Sequence, residues 1–193
     1  LDDTGLHERH RVGVDHRPGS DAARRAAMRA SMAALRSAAR SWGISPRRCA
    51  SPPPVIFAST NKVYGGLEDL DFALDGDAYV PVAPDIAAHG IGENRPLDFH
   101  TPYGCSKGAA DQYVLDYGRS FGVPTAVLRM SCIYGQCQMG TEEEGWVANF
   151  LIRAIEGRAI TLYGDGCQVR DILDVGDAVD AYVGLLRNID RVR

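Results

Sequence analysis

Two short apolar runs separated by one long helical pattern constrain the fold of this chain more than any other feature. Val55-Ile-Phe-Ala58 ends in Ser59-Thr60-Asn61, and Pro124 to Met130 ends in Ser131 and Cys132. Continuous apolar runs of this length, bounded by polar or turn residues, read as strands buried on both faces. Between them, Gly104 to Phe121 carries Ala109, Tyr113, Val114 and Tyr117 at helical spacing, with Gly122 as its stop. Strand, helix and strand in this order predict an α/β fold with a parallel, doubly wound sheet. In such sheets ligands bind beyond the carboxyl ends of the strands. Ser59, Thr60, Ser131 and Cys132 fall there.

The flanking segments are read more coarsely. Residues 65–98 hold Gly, Pro, Asp and Glu without a clear period, which predicts a long surface loop. Further on, the pattern predicts an amphipathic helix from Trp146 to Glu156 and a short strand from Ile160 to Tyr163. A last helix, Ala178 to Leu186, is expected to be capped by Asp174 or Asp177. Composition changes near position 50. Asp21 to Trp42 is rich in Ala, Arg, Met and Leu and predicts a helix stopped by Gly43. Pro46 and the Ser51-Pro-Pro-Pro54 run then interrupt regular structure. The chain therefore divides into an atypical Ala/Arg-rich segment, 1–50, and an α/β portion, 51–193.

Charge follows the same division. Residues 1–50 carry a net charge of +5 and residues 51–193 one of −9, within the overall −4. Apart from Trp42 the basic segment has no aromatic residue on which bases could stack, so an Arg-rich helix surface is favoured over nucleic-acid binding. No apolar run approaches the roughly 18–20 residues that cross a membrane. The five cysteines are odd in number and lack metal or redox spacing, which predicts free thiols in a cytoplasmic protein and no metal.

The chemistry centres on Tyr103-Gly-Cys-Ser-Lys107. Residues four apart share one helix face. A free tyrosine titrates near 10 and is a poor base at neutral pH; an adjacent ammonium favours its anion. By itself this spacing is common. Of the 21 basic residues, however, only Lys62 and Lys107 are lysines. Where Arg supplies nearly all positive charge, a retained Lys suggests a need for an ammonium that guanidinium does not meet. For Lys62, a solvated loop position is the competing reading.

Four ordered segments carry a resemblance: Phe57-Ala-Ser-Thr-Asn-Lys-Val-Tyr-Gly65, Tyr103 to Lys107, Leu128-Arg-Met-Ser-Cys-Ile-Tyr-Gly135 and Gly164-Asp-Gly-Cys-Gln-Val-Arg-Asp171. Together they resemble the extended short-chain dehydrogenase/reductase family of nucleotide-sugar enzymes, from residue 55 to about 190. The resemblance implies part of a Rossmann-type sheet with the start of a small substrate domain, and NAD as cofactor. It implies Tyr103 as acid/base, Lys107 as a contact to the cofactor ribose, and Thr60 as the partner of the reacting sugar hydroxyl. Ser59 and Cys132 would lie on the nicotinamide side. Asn61, Lys62, His100 and Ser131 would contact the substrate, His100 at the sugar pocket, and Arg170 would hold its nucleotide diphosphate. His100 is equally compatible with a structural hydrogen bond.

Related 4,6-dehydratases carry Thr-Asp-Glu where this chain has Thr60-Asn61-Lys62, so an epimerase is favoured over water elimination. The implied substrate is a nucleotide sugar, with a CDP-linked deoxyhexose preferred. Its inversion would proceed by transient oxidation, at C2 by family implication. A 4-epimerase or dehydratase of the same family, or a non-catalytic fragment, are the alternatives, and a homo-oligomer is left open. The family also opens with a Gly-rich turn that lays the cofactor pyrophosphate on a helix N-terminus. No G-x-x-G-x-x-G or G-x-G-x-x-G precedes Tyr103, and Arg11-Val-Gly-Val-Asp15 matches such a strand only weakly. The expectation is therefore a piece of a longer enzyme.

Overall fold

The computed structural model describes residues 53–142 and 144–191. The expected helix 21–42, the Arg11–Asp15 stretch and Cys49 lie outside the described residues. In chain order the elements are β1 (Val55–Thr60), a 3₁₀ turn (Asn61–Tyr64), β2 (Phe72–Asp75), β3 (Ala78–Pro81) and α1 (Pro84–His89). There follow α2 (Thr101–Phe121), β4 (Thr125–Met130), β5 (Cys132–Tyr134), α3 (Trp146–Ile155), β6 (Ile172–Asp174), α4 (Val175–Asn188) and a 3₁₀ turn (Ile189–Arg191).

The strand–helix–strand unit forms as expected. β1 and β4 are parallel, in register from Val55↔Thr125 to Thr60↔Met130, and α2 makes the crossover. Gly122, at φ +67°, closes α2 in the left-handed conformation that a side chain disfavours. One residue, Ser131, separates β4 from β5, which pairs in parallel with β6 from Cys132↔Ile172 to Tyr134↔Asp174. The fold is parallel α/β, with both strand pairs directing their carboxyl ends toward the segments singled out above.

Burial departs from expectation. Val55, Ile56 and Phe57 are only half-buried and Ala58 is exposed, whereas Ser59 and Thr60 are buried. β1 pairs with β4 alone among the described residues, and α2 bonds it at the Ala58 carbonyl and the Ser59 hydroxyl. On α2, Ala109 and Tyr113 face solvent and Tyr117 is half-buried. The buried face is Gly104, Gly108, Ala110, Asp111 and Val114. Small residues are required there. A methyl group on Gly108 would run into the Phe99 ring, and one on Gly118 into the Thr125 hydroxyl.

Two secondary-structure expectations are corrected. Residues 65–98 are not one loop: β2 and β3 form an antiparallel hairpin around Gly76-Asp77, and α1 follows. Ile160–Tyr163 is not a strand; no described strand pairs with it, and β6 takes the place beside β5 instead. α4 begins at Val175, and the Asp174 carboxylate caps it by accepting the Gly176 N–H at 2.7 Å.

Candidate active site

The chain leaves β1 through Thr60, whose hydroxyl accepts the Lys62 N–H at 3.3 Å and so caps the 3₁₀ turn. The same hydroxyl donates to Asn61 Oδ1 at 3.4 Å. Against this turn lies the start of α2, where a methyl on Gly104 would sit 3.4 Å from the Lys62 carbonyl oxygen. Thr101 caps that first turn, its hydroxyl accepting the Gly104 N–H at 3.1 Å, with Pro102 next in sequence. It does so at φ +63°, a strained conformation for a β-branched residue.

Tyr103 and Lys107 project from this helix one turn apart. The Lys107 ammonium donates to the Ala58 carbonyl oxygen at 2.8 Å and lies 5.2 Å from the centre of the Phe57 ring. Burial lowers its pKa from the ordinary lysine value. An ammonium has three N–H groups, so two remain beyond the bond to Ala58. Tyr103 is more than a third exposed, and its phenol has no hydrogen-bond partner among the described residues. Lys107 thus reaches the carboxyl end of β1, and Tyr103 lies one turn earlier on the same helix.

Beneath them is a buried polar network. Asp111, with no exposed surface, accepts from the Ser59 hydroxyl at 2.8 Å and from Arg129 Nε and Nη2 at 2.9 and 3.0 Å. Gln112 adds a bond at 2.9 Å, and Arg129 Nη1 reaches the Tyr64 hydroxyl at 2.9 Å. One ion pair therefore joins α2, β1, β4 and the 3₁₀ turn. Burial pushes the Asp111 carboxyl up, but the bonds from Arg129 and Ser59 outweigh it and its pKa is lowered. The Ser59 side chain is committed to this network, which leaves its backbone for any ligand contact. Sequence reasoning assigned no role to Asp111 or Arg129. The available signal was a carboxylate on the Tyr103–Lys107 face of α2 and an Arg within an apolar strand.

The second cluster lies where β4 gives way to β5. Asn61 Nδ2 donates to the Ser131 hydroxyl at 3.4 Å, which in turn donates to the Asp171 carbonyl oxygen at 2.9 Å. Lys62 has its pKa lowered by burial and by the nearby positive charge of Arg170. Neither cation has a carboxylate partner among the described residues; the Arg170 guanidinium donates to the Val169 carbonyl oxygen at 3.0 Å. Two cations that feel each other's charge and lack a described carboxylate partner are suited to an anion. Cys132 is half-buried as a free thiol at the first β5–β6 pair.

His100 takes the structural alternative, pairing through Nε2 with Asp98 Oδ2 at 3.0 Å, a bond that raises its pKa. It lines a cavity of about 350 Å³ with Tyr64, Arg95 and Asp98. Thr60, Tyr103 and Lys107 do not line that cavity.

A family model described as the NAD dependent epimerase/dehydratase family matches residues 27–193, starting inside the Ala/Arg-rich segment. A CDP-paratose 2-epimerase of Salmonella typhi is 44% identical over 144 residues, 72% of this chain and 42% of that protein. A putative UDP-glucose 4-epimerase of Methanocaldococcus jannaschii is 35% identical over 91 residues, 47% of this chain and 30% of that protein. Among solved structures, a UDP-glucose 4-epimerase of Thermus thermophilus in complex with NAD superposes with a TM-score of 0.54 at 30% identity. The match covers 78% of this chain and 42% of that one. The chain spans less than half the length of each of these relatives.

Proposed function

This chain belongs to the NAD dependent epimerase/dehydratase family, and we propose that it carries the catalytic centre of a nucleotide-sugar 2-epimerase interconverting CDP-paratose and CDP-tyvelose. The observation that supports the reading is the bond from Lys107 on α2 to the Ala58 carbonyl near the end of β1, beside the turn that holds Thr60 and Lys62. Identity to the Salmonella 2-epimerase supports the choice within the family.

In this reading Tyr103 removes the proton of the sugar hydroxyl and later returns it, while Thr60 orients that hydroxyl by a hydrogen bond. The Lys107 ammonium stabilises negative charge on the Tyr103 oxygen and offers its remaining N–H groups to a ribose. Arg170 and Lys62 hold the nucleotide diphosphate. NAD, when bound, would take hydride from the sugar carbon and return it to the other face. The donor set around Lys107 fits the ribose end of that cofactor, and no Gly-rich pyrophosphate turn precedes Tyr103 in this sequence. Asn61 bonds Ser131 and Lys62 is a cation, so the position where dehydratases place two acids holds none. That favours epimerisation.

A cytoplasmic setting and a role in making deoxysugars for lipopolysaccharide O-antigen accompany the proposal. No described helix is long and apolar enough to cross a membrane. The second reading, a 4-epimerase, draws on the UDP-glucose relatives. The two separate when an enzyme containing these residues with a cofactor cradle is given CDP-paratose and, separately, UDP-glucose. Interconversion of the CDP sugars is expected. Turnover of UDP-glucose alone would favour the second reading, and turnover of neither would refute both.

A further inference from the structure

The β2–β3 hairpin has no part in the chemistry above, yet it is bonded to the turn that precedes Arg170. Both bonds come from one residue. The Tyr79 N–H donates to the Cys167 carbonyl oxygen at 3.1 Å, and the Tyr79 phenol donates to Asp165 Oδ2 at 2.6 Å. The other carboxylate oxygen of Asp165, Oδ1, accepts the Cys167 N–H at 3.0 Å, so one side chain both closes its own turn and receives the hairpin. Burial, Asp165 and Asp77 at the hairpin tip all raise the Cys167 thiol pKa, a second sign that hairpin and turn lie together.

The turn needs such support. Gly164 and Gly166 both have positive φ, +86° and +84°, and residues 157–171 form neither helix nor strand. Glycine positions lose the most conformational freedom on ordering, so this segment is costly to hold in one shape. Tyr79 is by contrast a paired strand residue, opposite Leu74. A paired strand thereby anchors a pliable segment three residues before Arg170.

We propose that Tyr79 is a positioning residue for nucleoside diphosphate binding: it fixes the Asp165–Cys167 turn so that Arg170 is held beside Lys62 before the ligand arrives. Preorganisation of this kind raises affinity by removing an ordering cost from the binding step. The inference rests on the proposed role of Arg170, and the experiment separates the two.

Calorimetric titration of CDP and UDP is made on the wild type, Tyr79→Phe, Arg170→Ala and the double variant, with melting temperatures alongside. Tyr79→Phe is expected to weaken binding of the preferred nucleotide about tenfold, with the melting temperature held. Arg170→Ala should weaken it at least as much, and the double variant no further than Arg170→Ala, because Tyr79 acts through Arg170. Asp165→Asn, which keeps an acceptor for the phenol, should retain most of the affinity lost in Asp165→Ala. Wild-type affinity in Tyr79→Phe together with loss in Arg170→Ala overturns the positioning role and leaves the Arg170 reading intact. Unchanged affinity in Arg170→Ala overturns both. Additive losses in the double variant, or a fall in melting temperature matching the fall in affinity, reduce Tyr79 to a structural contact and also overturn the proposal.

Discussion

Asp111 shows how closely stability and site geometry are joined at the level of single residues. A buried ion pair repays its desolvation only with good geometry and satisfied hydrogen bonds. Here the pair is bidentate, and Ser59 and Gln112 occupy the remaining lone pairs. Asp111→Asn leaves the Arg129 charge uncompensated and is expected to cost about 3–5 kcal/mol, read from urea unfolding. A paired replacement by apolar residues should recover much of that loss. The pH dependence follows from the lowered Asp111 pKa. A carboxylate whose folded pKa lies below its unfolded one contributes stability above the unfolded value and loses it as pH falls through the folded one. The wild-type melting temperature should therefore drop below about pH 4, and Asp111→Asn should flatten that limb. At the same scale, Tyr103→Phe is expected to lower kcat by about 10²–10⁴-fold while CDP affinity measured by calorimetry is kept. Equal loss of both would deny Tyr103 a role confined to the proton. Tyr103 and Lys107 could be picked out as a pair because their spacing is local, whereas Thr60 entered through the resemblance. Asp111 and Arg129 were not, since their partners are 18 and 52 residues apart in sequence.

Among the elements, the 3₁₀ turn after β1 sets where α2 begins. Gly65, at φ +74°, closes the turn on the Lys62 carbonyl, and a methyl group there would run into the Asp98 carbonyl oxygen. The Asp98 N–H is itself bonded to the Val63 carbonyl at 3.0 Å, so that backbone has little room to yield. Gly65→Ala is expected to cost about 2–4 kcal/mol, from strain and overpacking together. Gly90 has a similar φ, +72°, with open space around it, so Gly90→Ala should cost only about 1 kcal/mol. Urea midpoints at unchanged slope measure both, and equal costs would show that conformation rather than contact governs Gly65. The β2–β3 hairpin could have been read from Gly76-Asp77, a two-residue loop with glycine first. Its four-residue strands are too short for a period to stand out. β6 and Ile160–Tyr163 are both short apolar stretches, and only the presence of a partner strand separates them.

For the molecule as a whole, the proposed catalytic groups and the cofactor cradle are separable in sequence, and so are their tests. This 193-residue chain is expected to bind CDP but to show no saturable binding in an NADH fluorescence titration, because no Gly-rich turn precedes Tyr103. Stoichiometric NADH binding would overturn that expectation and assign the cradle to other residues of the chain. Local sequence by itself determined the α/β class, the parallel strand pair and most of the span of α2. Each of these depends on periodicity or spacing within a few turns of chain, where propensity and side-chain direction act directly. Only the tertiary structure decided which face of α2 is buried, where the Ser59 hydroxyl points, that His100 pairs with Asp98, and that a hairpin is tied to the turn before Arg170. Those outcomes rest on which distant backbones approach closely enough to exclude water or exchange hydrogen bonds. The approach is set by small residues such as Gly104 and Gly108, whose importance lies in what packs against them.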